Sequence, residues 1–230
     1  MPVLRRLIKV SAVVLGVGLF AAGCSPVKMG AAAIVGNQRI TIATLDTEVT
    51  NLSQAAKQYP ATVKLSAQEE TQQTLGWLIR FQINEQLARQ EGITISTGQA
   101  QAALTEIYAE AKSEAEQEGL TNVTLNLILA ANGIPPNMSA EVGRYQAIEN
   151  QFILRVNNGK VPTATAAQTA TTAKLTKAQC VAAKGLKIEI NPQYGRLNYS
   201  EYQIVSAPST VTRAQGPVKA ASTAGLTPAC

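Results

Sequence analysis

The chain has 230 residues, of which 46% are hydrophobic, 15% charged and 4% aromatic, and its formal net charge is +5. Three of the positive charges, Arg5, Arg6 and Lys9, belong to the extreme N-terminus. No basic cluster is interleaved with aromatic residues, so we expect no nucleic-acid partner. The chain contains no histidine, which excludes Ser-His-Asp and Cys-His catalytic sets and removes the commonest metal ligand.

The N-terminus joins these basic residues to an apolar stretch from Val10 to Ala22. A stretch of this length is too short to span a bilayer comfortably but suits the core of a signal peptide. Its end at Gly23-Cys24 resembles a lipobox, the site where bacterial lipoproteins are cleaved and acylated. We therefore expect a signal peptide over residues 1–23, a lipidated Cys24, and a tether over residues 24–30. We therefore expect the protein on the extracytoplasmic face of the cell membrane, which it would contact through this lipid anchor.

Apolar periodicity and turn residues predict a mainly α chain with a small β element. The predicted elements are a strand–turn–strand at residues 31–42, helices at about 44–58, 67–91, 98–118, 123–131, 139–157 and 175–184, and strands at 186–190 and 196–205. Ser66 and Glu69 fit a capping box before the second helix, and Gly92 suits its C-terminal end. The Thr- and Ala-rich residues 161–172 indicate a linker or a weak helix. Residues 206–230 lack periodicity, and we expect disorder there.

The aromatic residues on the predicted helices allow two interpretations. Trp77 and Phe81 are four residues apart and offset from the apolar stripe of their helix, which widens its apolar arc. A wide arc serves either a second packing partner inside the fold or an exposed groove for another chain. In the second case, the candidate polypeptide-binding surface comprises Trp77, Phe81, Tyr108, Tyr145 and Phe152.

If Cys24 carries the lipid, Cys180 and Cys230 are the two cysteines that remain available to form a disulfide. Outside the cytoplasmic membrane this pair can oxidise to a disulfide, and a free thiol on a frayed tail is the alternative. Cys180 has no second cysteine near it in sequence, so zinc and dithiol chemistry lack support. The glutamates at residues 106–118 are typical of a solvated helix face rather than a cation site. We expect no catalytic residue, no metal and no cofactor.

Three segments occur in an informative order. They are AIVGNQRITI at residues 33–42 followed by Leu45-Asp46, a short helix with the turn Asn132-Gly133-Ile134 before a long helix, and INPQYG at residues 190–195. This order resembles the N-terminal domain of SurA-like extracytoplasmic chaperones and their PrsA and trigger-factor relatives. Gln193 departs from the Arg that is usual in the third motif.

The resemblance implies a SurA-N-like helical domain over residues 31–160, whose N-terminal strand pairs with strands from a closing segment at residues 161–205. It also implies binding of unfolded or secreted polypeptides. Prolyl isomerase activity in this family belongs to an inserted parvulin domain, which usually uses histidines and for which the residues between Gly159 and Leu186 leave too little room. The alternative function is a scaffold or accessory subunit for an envelope protein, and residual prolyl isomerase activity is a minor one.

Overall fold

The computed structural model describes residues 29–199 and 203–206. Within them the chain forms six α-helices and five short strands, which confirms the mainly helical class with a small β element. The helices are α1 (Ile42–Gln58), α2 (Ala67–Glu91), α3 (Thr97–Gln117), α4 (Leu125–Ala131), α5 (Ser139–Val156) and α6 (Thr165–Gly185). The strands are β1 (Ala31–Val35), β2 (Gln38–Thr41), β3 (Ile188–Ile190), β4 (Arg196–Asn198) and β5 (Gln203–Val205).

Several predictions fall on residues outside this description. They are the signal peptide, Cys24 with most of the tether, and the tail from residue 207 to Cys230. Among the helices of the described ranges, none is both long enough and apolar enough to cross a membrane.

Helix α2 is the central element, because α1, α5, α6, β1 and β5 all contact it. The predicted capping box closes its N-terminus: the Glu69 N–H donates to Ser66 Oγ at 3.3 Å, and the Ser66 N–H donates to Glu69 Oε2 at 2.8 Å. Gly92 ends the helix in the left-handed conformation, with a φ of 62°. The side chains of Leu75 and Ile79 are fully buried and lie in the main core cluster. The residues that cap this helix and the burial of its apolar side chains therefore both agree with the helix predicted from the sequence.

A three-stranded antiparallel sheet closes the fold from both ends of the described chain. Its strand order is β2-β1-β3, with Ala33 of β1 opposite Ile40 on one side and Ile190 on the other. The backbone N–H of Asn191 continues the pairing by donating to the carbonyl oxygen of Ala32 at 2.9 Å. The expected pairing of the N-terminal strand with strands of the closing segment is confirmed for β3, whereas β4 and β5 form a separate sheet.

The Thr- and Ala-rich stretch is more regular than its composition predicts. Residues 161–172 are expected to form a linker or a weak helix, but α6 begins at Thr165 and continues without a break. Thr is a poor helix former, so tertiary packing must stabilise this segment. The buried Thr171 hydroxyl hydrogen-bonds to the Asn157 side chain, and Ala182 is fully buried against the core.

The prediction of one strand over residues 196–205 is wrong. The structure contains two strands, β4 and β5, which pair antiparallel with Leu197 opposite Ile204 and form a separate two-stranded sheet. The reversal returns Ile204 to the core beside α2, where its side chain is buried. One straight strand of this length would carry Ile204 away from the residues that bury it.

Candidate functional site

A solvent-open cleft of about 390 Å³ lies between α2, the C-terminal end of α4, and β5. Its lining residues are Glu69, Gln72, Gln73, Gly76, Trp77, Arg80, Ala131, Asn132, Gln203 and Ile204. Four of them carry an amide side chain, and only Glu69 and Arg80 are charged. The cleft therefore offers both hydrogen-bond donors and acceptors without a strong charge of either sign.

Trp77 is held in the floor of this cleft from several directions. Its indole Nε1–H donates a hydrogen bond of 3.1 Å to the backbone carbonyl oxygen of Asn132. The indole ring lies 5.7 Å from the ring of Phe81 and 5.9 Å from the ring of Tyr145. The guanidinium carbon of Arg80 lies 4.7 Å from the indole centroid, within cation–π range. The indole is partly buried, so it is oriented by the protein while part of it stays accessible.

The structure brings together three of the five aromatic residues of the predicted polypeptide-binding surface. Trp77, Phe81 and Tyr145 form one cluster, with the Phe81 and Tyr145 rings 6.0 Å apart. Phe81 is 8% exposed and Phe152 is 4% exposed, so both are core residues and present almost no surface to a partner. Tyr108 does not line the cleft, and its hydroxyl donates to a backbone carbonyl oxygen before α4. Within the cleft, the predicted surface therefore reduces to Trp77, because the partly exposed Tyr108 and Tyr145 do not line it.

Sequence reasoning missed the glutamines of the cleft. Gln73 lies four residues before Trp77 on α2, so helical spacing could have placed the two side chains on one face. Gln203 and Asn132 come from β5 and from the end of α4, and no local pattern links them to α2. Only the tertiary fold assembles these amides around the indole.

Behind the cleft, polar side chains meet where α2, α5 and α6 pack together. Gln179 Nε2 donates to Glu149 Oε1 at 2.7 Å, and the Tyr145 hydroxyl hydrogen-bonds to the same carboxyl group. Asn84, only 1% exposed, donates through Nδ2 to the backbone carbonyl oxygen of Tyr145 at 2.9 Å. A small cavity of about 30 Å³ borders Arg80, Tyr145 and Gln179. We call Arg80, Tyr145, Glu149 and Gln179 the junction cluster.

Burial and charge alter the ionisation of the junction cluster. Burial raises the pKa of Glu149, and hydrogen bonds from Tyr145 and Gln179 together with the charge of Arg80 offset part of this rise. Burial, followed by the nearby Glu149 charge, raises the pKa of the Tyr145 hydroxyl. Burial lowers the pKa of Arg80 while Tyr145 and Glu149 act in the opposite sense, and a guanidinium keeps its charge at any ordinary pH.

The described residues contain no group of three or more His, Cys, Asp or Glu side chains placed to hold a metal ion. The glutamates of α3 at residues 106–118 are exposed, in line with a solvated face. Cys180 is 9% exposed and disulfide-bonded. Cys24 and Cys230 both lie outside the described ranges, so pairing of Cys180 with Cys230 stays a prediction.

The fold and cleft define a small helical domain that is closed by strands from both ends of the described chain and carries an open groove. The sequence profile of the SurA-like N-terminal domain matches residues 2–153. Because the match covers well over half of the sequence, the chain belongs to this family, which relates it to chaperones. The match ends within α5, so α6 and the strands β3 to β5 lie beyond it. No curated protein and no solved structure matches the chain.

Proposed function

We propose that the protein is a lipid-anchored, extracytoplasmic, non-catalytic chaperone that binds unfolded or translocating polypeptides in the cleft. The observation that carries this proposal is the open cleft, with a partly accessible indole in its floor and amides along its walls. Membership in the SurA-like N-terminal domain family supports a chaperone role. The lipobox-like sequence that ends at Cys24 supports the anchor.

The chemistry of the cleft suits an extended polypeptide. Such a chain presents a backbone N–H and a backbone carbonyl at each residue, and an amide side chain can accept from one and donate to the other. Gln72, Gln73 and Gln203 supply these groups, and the indole of Trp77 offers an apolar face to a client side chain. Neither kind of contact requires a particular client sequence, so varied segments can bind.

The size of the cleft limits what it holds. A volume of about 390 Å³ lies at the lower end of the range of small-molecule pockets, roughly 300 to 1,000 Å³. The cleft therefore holds a short stretch of a longer client, and binding of one stretch is weak. Weak, reversible contact suits a chaperone, because the client must leave in order to fold.

The anchor would keep the cleft close to chains that emerge from the membrane. A buried methylene contributes about 0.8 kcal/mol to membrane binding, so two or more acyl chains hold a protein stably where one does not. Acylation at Cys24 would therefore fix the protein at the extracytoplasmic surface, where the partners would be secreted or envelope polypeptides.

The segment between Gly159 and Leu186 supports a non-catalytic function. In the SurA-like chaperones that contain a parvulin domain, the prolyl isomerase is an inserted domain. Here most of that segment is the single helix α6, which packs against α2 and α5. The family domain matched by the chain is the chaperone-like part.

The proposal is tested by the aggregation of a reduced, unfolded model client, followed by light scattering. The full-length protein in detergent micelles is expected to suppress aggregation at near-stoichiometric ratios, and Trp77→Ala is expected to weaken that effect. No suppression at several-fold molar excess of the protein would contradict the proposal.

A second candidate function is a scaffold or accessory subunit that uses the cleft for one dedicated envelope protein. The hydrogen bond from Trp77 to Asn132 favours it, because a fixed ring suits one partner better than a mobile one does. A photo-reactive amino acid in place of the exposed Gln203 separates the two functions. One stoichiometric adduct indicates a scaffold, and a broad set of adducts indicates a chaperone.

A further inference from the structure

The described part of the chain stops at Ser206, beside the cleft. Ser206 follows β5, and its hydroxyl accepts hydrogen bonds from Gln68 Nε2 at 2.7 Å and from Gln72 Nε2 at 3.2 Å. Gln72 lines the cleft, and together with Ser206 it also lines a neighbouring open depression of about 470 Å³. The segment that follows, residues 207–230, therefore starts at the N-terminal end of the α2 face that forms the cleft.

A second fixed point lies at the other end of this face. Arg80 is the last α2 residue that lines the cleft, and it borders the small cavity of the junction cluster together with Gln179 of α6. The next residue of α6, Cys180, is disulfide-bonded. The other two cysteines of the chain are Cys24 and Cys230. A Cys24 whose sulfur carries a lipid has no thiol to oxidise, which leaves Cys230 as the partner of Cys180.

The cleft lies between these two points. Its α2 residues recur at helical spacing from Glu69 to Arg80 and so share one face of the helix. From Gln72 to Arg80 the helix rises about 12 Å. A fully extended segment with the length of residues 207–230 reaches about 80 Å. The segment is therefore long enough to pass along the cleft, and the two fixed ends keep it close to this face of α2.

The composition of residues 207–230 suits the cleft. The segment consists mainly of Ala, Ser, Thr and Pro and has no acidic residue. Small side chains leave the backbone N–H and carbonyl groups accessible to the amide side chains that line the cleft. The large apolar residues of the segment are Val211, Val218 and Leu226, and the partly accessible indole of Trp77 offers them an apolar face.

We propose that residues 207–230 form a strap from Ser206 to Cys180 that occupies the cleft, so that a client must displace part of this same chain in order to bind. The strap imitates an unfolded client, because it presents the same backbone groups and short apolar side chains. Occupancy of the cleft by the strap does not require the proposed function, whereas competition with a client does. The bond to Cys230 rests on the proposed acylation of Cys24.

The expected competition is moderate. A segment tethered beside its binding site has an effective concentration on the order of 1 mM. With a dissociation constant of about 0.1 to 1 mM for one short stretch, the strap fills the cleft for about half to nine-tenths of the time. The apparent affinity for a client is then about two- to tenfold lower than the affinity of the empty cleft.

Intramolecular photo-cross-linking of the full-length protein in detergent micelles tests the occupancy without any client. A photo-reactive amino acid replaces each of the three large apolar residues of the strap, one in each variant. Mass spectrometry is expected to find a cross-link from at least one of these positions to α2 between Glu69 and Arg80. The same amino acid in place of the exposed Val161, which follows α5, is the control and is expected to give no such cross-link. Absence of this cross-link from all three strap variants overturns the inference.

Two further variants test the end of the strap and its apolar contacts. Cys230→Ser is expected to leave Cys180 as a free thiol, and a Cys180 that stays disulfide-bonded in this variant overturns the inference. The triple variant Val211→Ser, Val218→Ser, Leu226→Ser keeps both fixed ends. Acrylamide is expected to quench Trp77, the single tryptophan of the chain, more strongly in the triple variant than in the wild type. Equal quenching overturns the inference.

Fluorescence anisotropy of a labelled unfolded peptide separates this inference from the proposed function. The triple variant is expected to bind the peptide about two- to tenfold more tightly than the wild type does, and equal affinities overturn the inference. Cross-links from the strap to α2 without any peptide binding contradict the proposed function alone. Peptide binding without these cross-links contradicts this inference alone.

Discussion

Trp77 and Asn132 belong to different helices, and the indole Nε1–H of Trp77 donates a hydrogen bond of 3.1 Å to the backbone carbonyl oxygen of Asn132. Asn132 is the C-cap of α4, where helix carbonyl groups need partners from elsewhere. The bond therefore satisfies the end of α4 and also joins the floor of the cleft to its wall. This contact adds a directional link to the apolar packing between α2 and α4.

Trp77→Phe tests this contact, because it keeps an aromatic ring and removes the donor. We expect stability to fall by about 1 kcal/mol for the lost hydrogen bond, and the affinity for a labelled unfolded peptide to fall about fivefold if the ring also loses its orientation. Fluorescence anisotropy measures the affinity. Tyr59→Phe is the control, because it removes a 3.0 Å contact with Thr124 that does not border the cleft. Equal affinities for both variants would contradict the prediction.

The packing of α3 against α5 depends on Gly143. A methyl group at this position would lie 2.5 Å from the carbonyl oxygen of Ala100 and 3.0 Å from Leu104 Cβ. We expect Gly143→Ala to destabilise the protein by about 1 to 3 kcal/mol, since the two helices would have to separate. Gly98→Ala, in the first turn of α3, meets nothing within 4 Å and is expected to be neutral or stabilising by up to about 1 kcal/mol. Urea unfolding compares the two, and similar effects would refute the argument.

The pKa of Glu69 reports on the capping box of α2. Hydrogen bonds from the backbone N–H and the hydroxyl of Ser66 lower this pKa below its ordinary value of 4.5. The hydrogen bonds to the Glu69 carboxylate therefore stabilise the folded protein above pH 4.5. This stabilisation is lost as the pH falls through the lowered pKa of Glu69. We expect Ser66→Ala to raise the Glu69 pKa part of the way towards 4.5 in an NMR titration. Ser96→Ala, which alters the capping box of α3, should leave it unchanged.

Lipidation is tested at Cys24. Cys24→Ala removes the sulfur that would carry the acyl chains, so we expect an unacylated protein that is either uncleaved or mislocalised. Mass spectrometry of the intact chain and membrane fractionation report both properties. A variant that is processed normally and remains bound to the membrane would show that the lipoprotein assignment is wrong.

The predicted disulfide between Cys180 and Cys230 would close a loop at the end of the chain. In the chain-entropy description, a loop of this length stabilises the folded state by about 4 kcal/mol. We expect the unreduced, mature protein to contain neither of these two thiols in free form, and Cys230→Ser to expose one thiol and lower stability. A count of two free thiols in unreduced protein would exclude the bond.

Local signals in the sequence predicted much of the helical fold. The capping pair at Ser66 and Glu69 and the left-handed Gly92 define α2 to the residue, because they act within a few positions of the helix ends. The strand pair before α1 was likewise visible in the turn at Gly36 and Asn37. These features depend on neighbours in the chain and so can be inferred without knowing the rest of the fold.

The N-terminal part of α6 and the reversal between β4 and β5 were not predictable in the same way. Thr171 becomes helical because Asn157 hydrogen-bonds to its buried hydroxyl, and Ile204 returns because the core beside α2 buries it. In both cases the stabilising partner is distant in sequence. Such partners override a weak local preference for one secondary structure, because burial and paired polar groups contribute more free energy than secondary-structure propensity does.

The sequence by itself determined the helical class, the strand at each end of the domain, and the resemblance to the SurA-like N-terminal domain, because periodicity and turn residues act locally. The tertiary structure alone decided which of the predicted aromatic residues reach solvent: Phe81 and Phe152 are buried, while Trp77, Tyr108 and Tyr145 remain partly accessible. It also placed Gln203 and Asn132 in the same cleft as the indole of Trp77. These arrangements join residues from separate elements, and only packing of the whole chain fixes their distances.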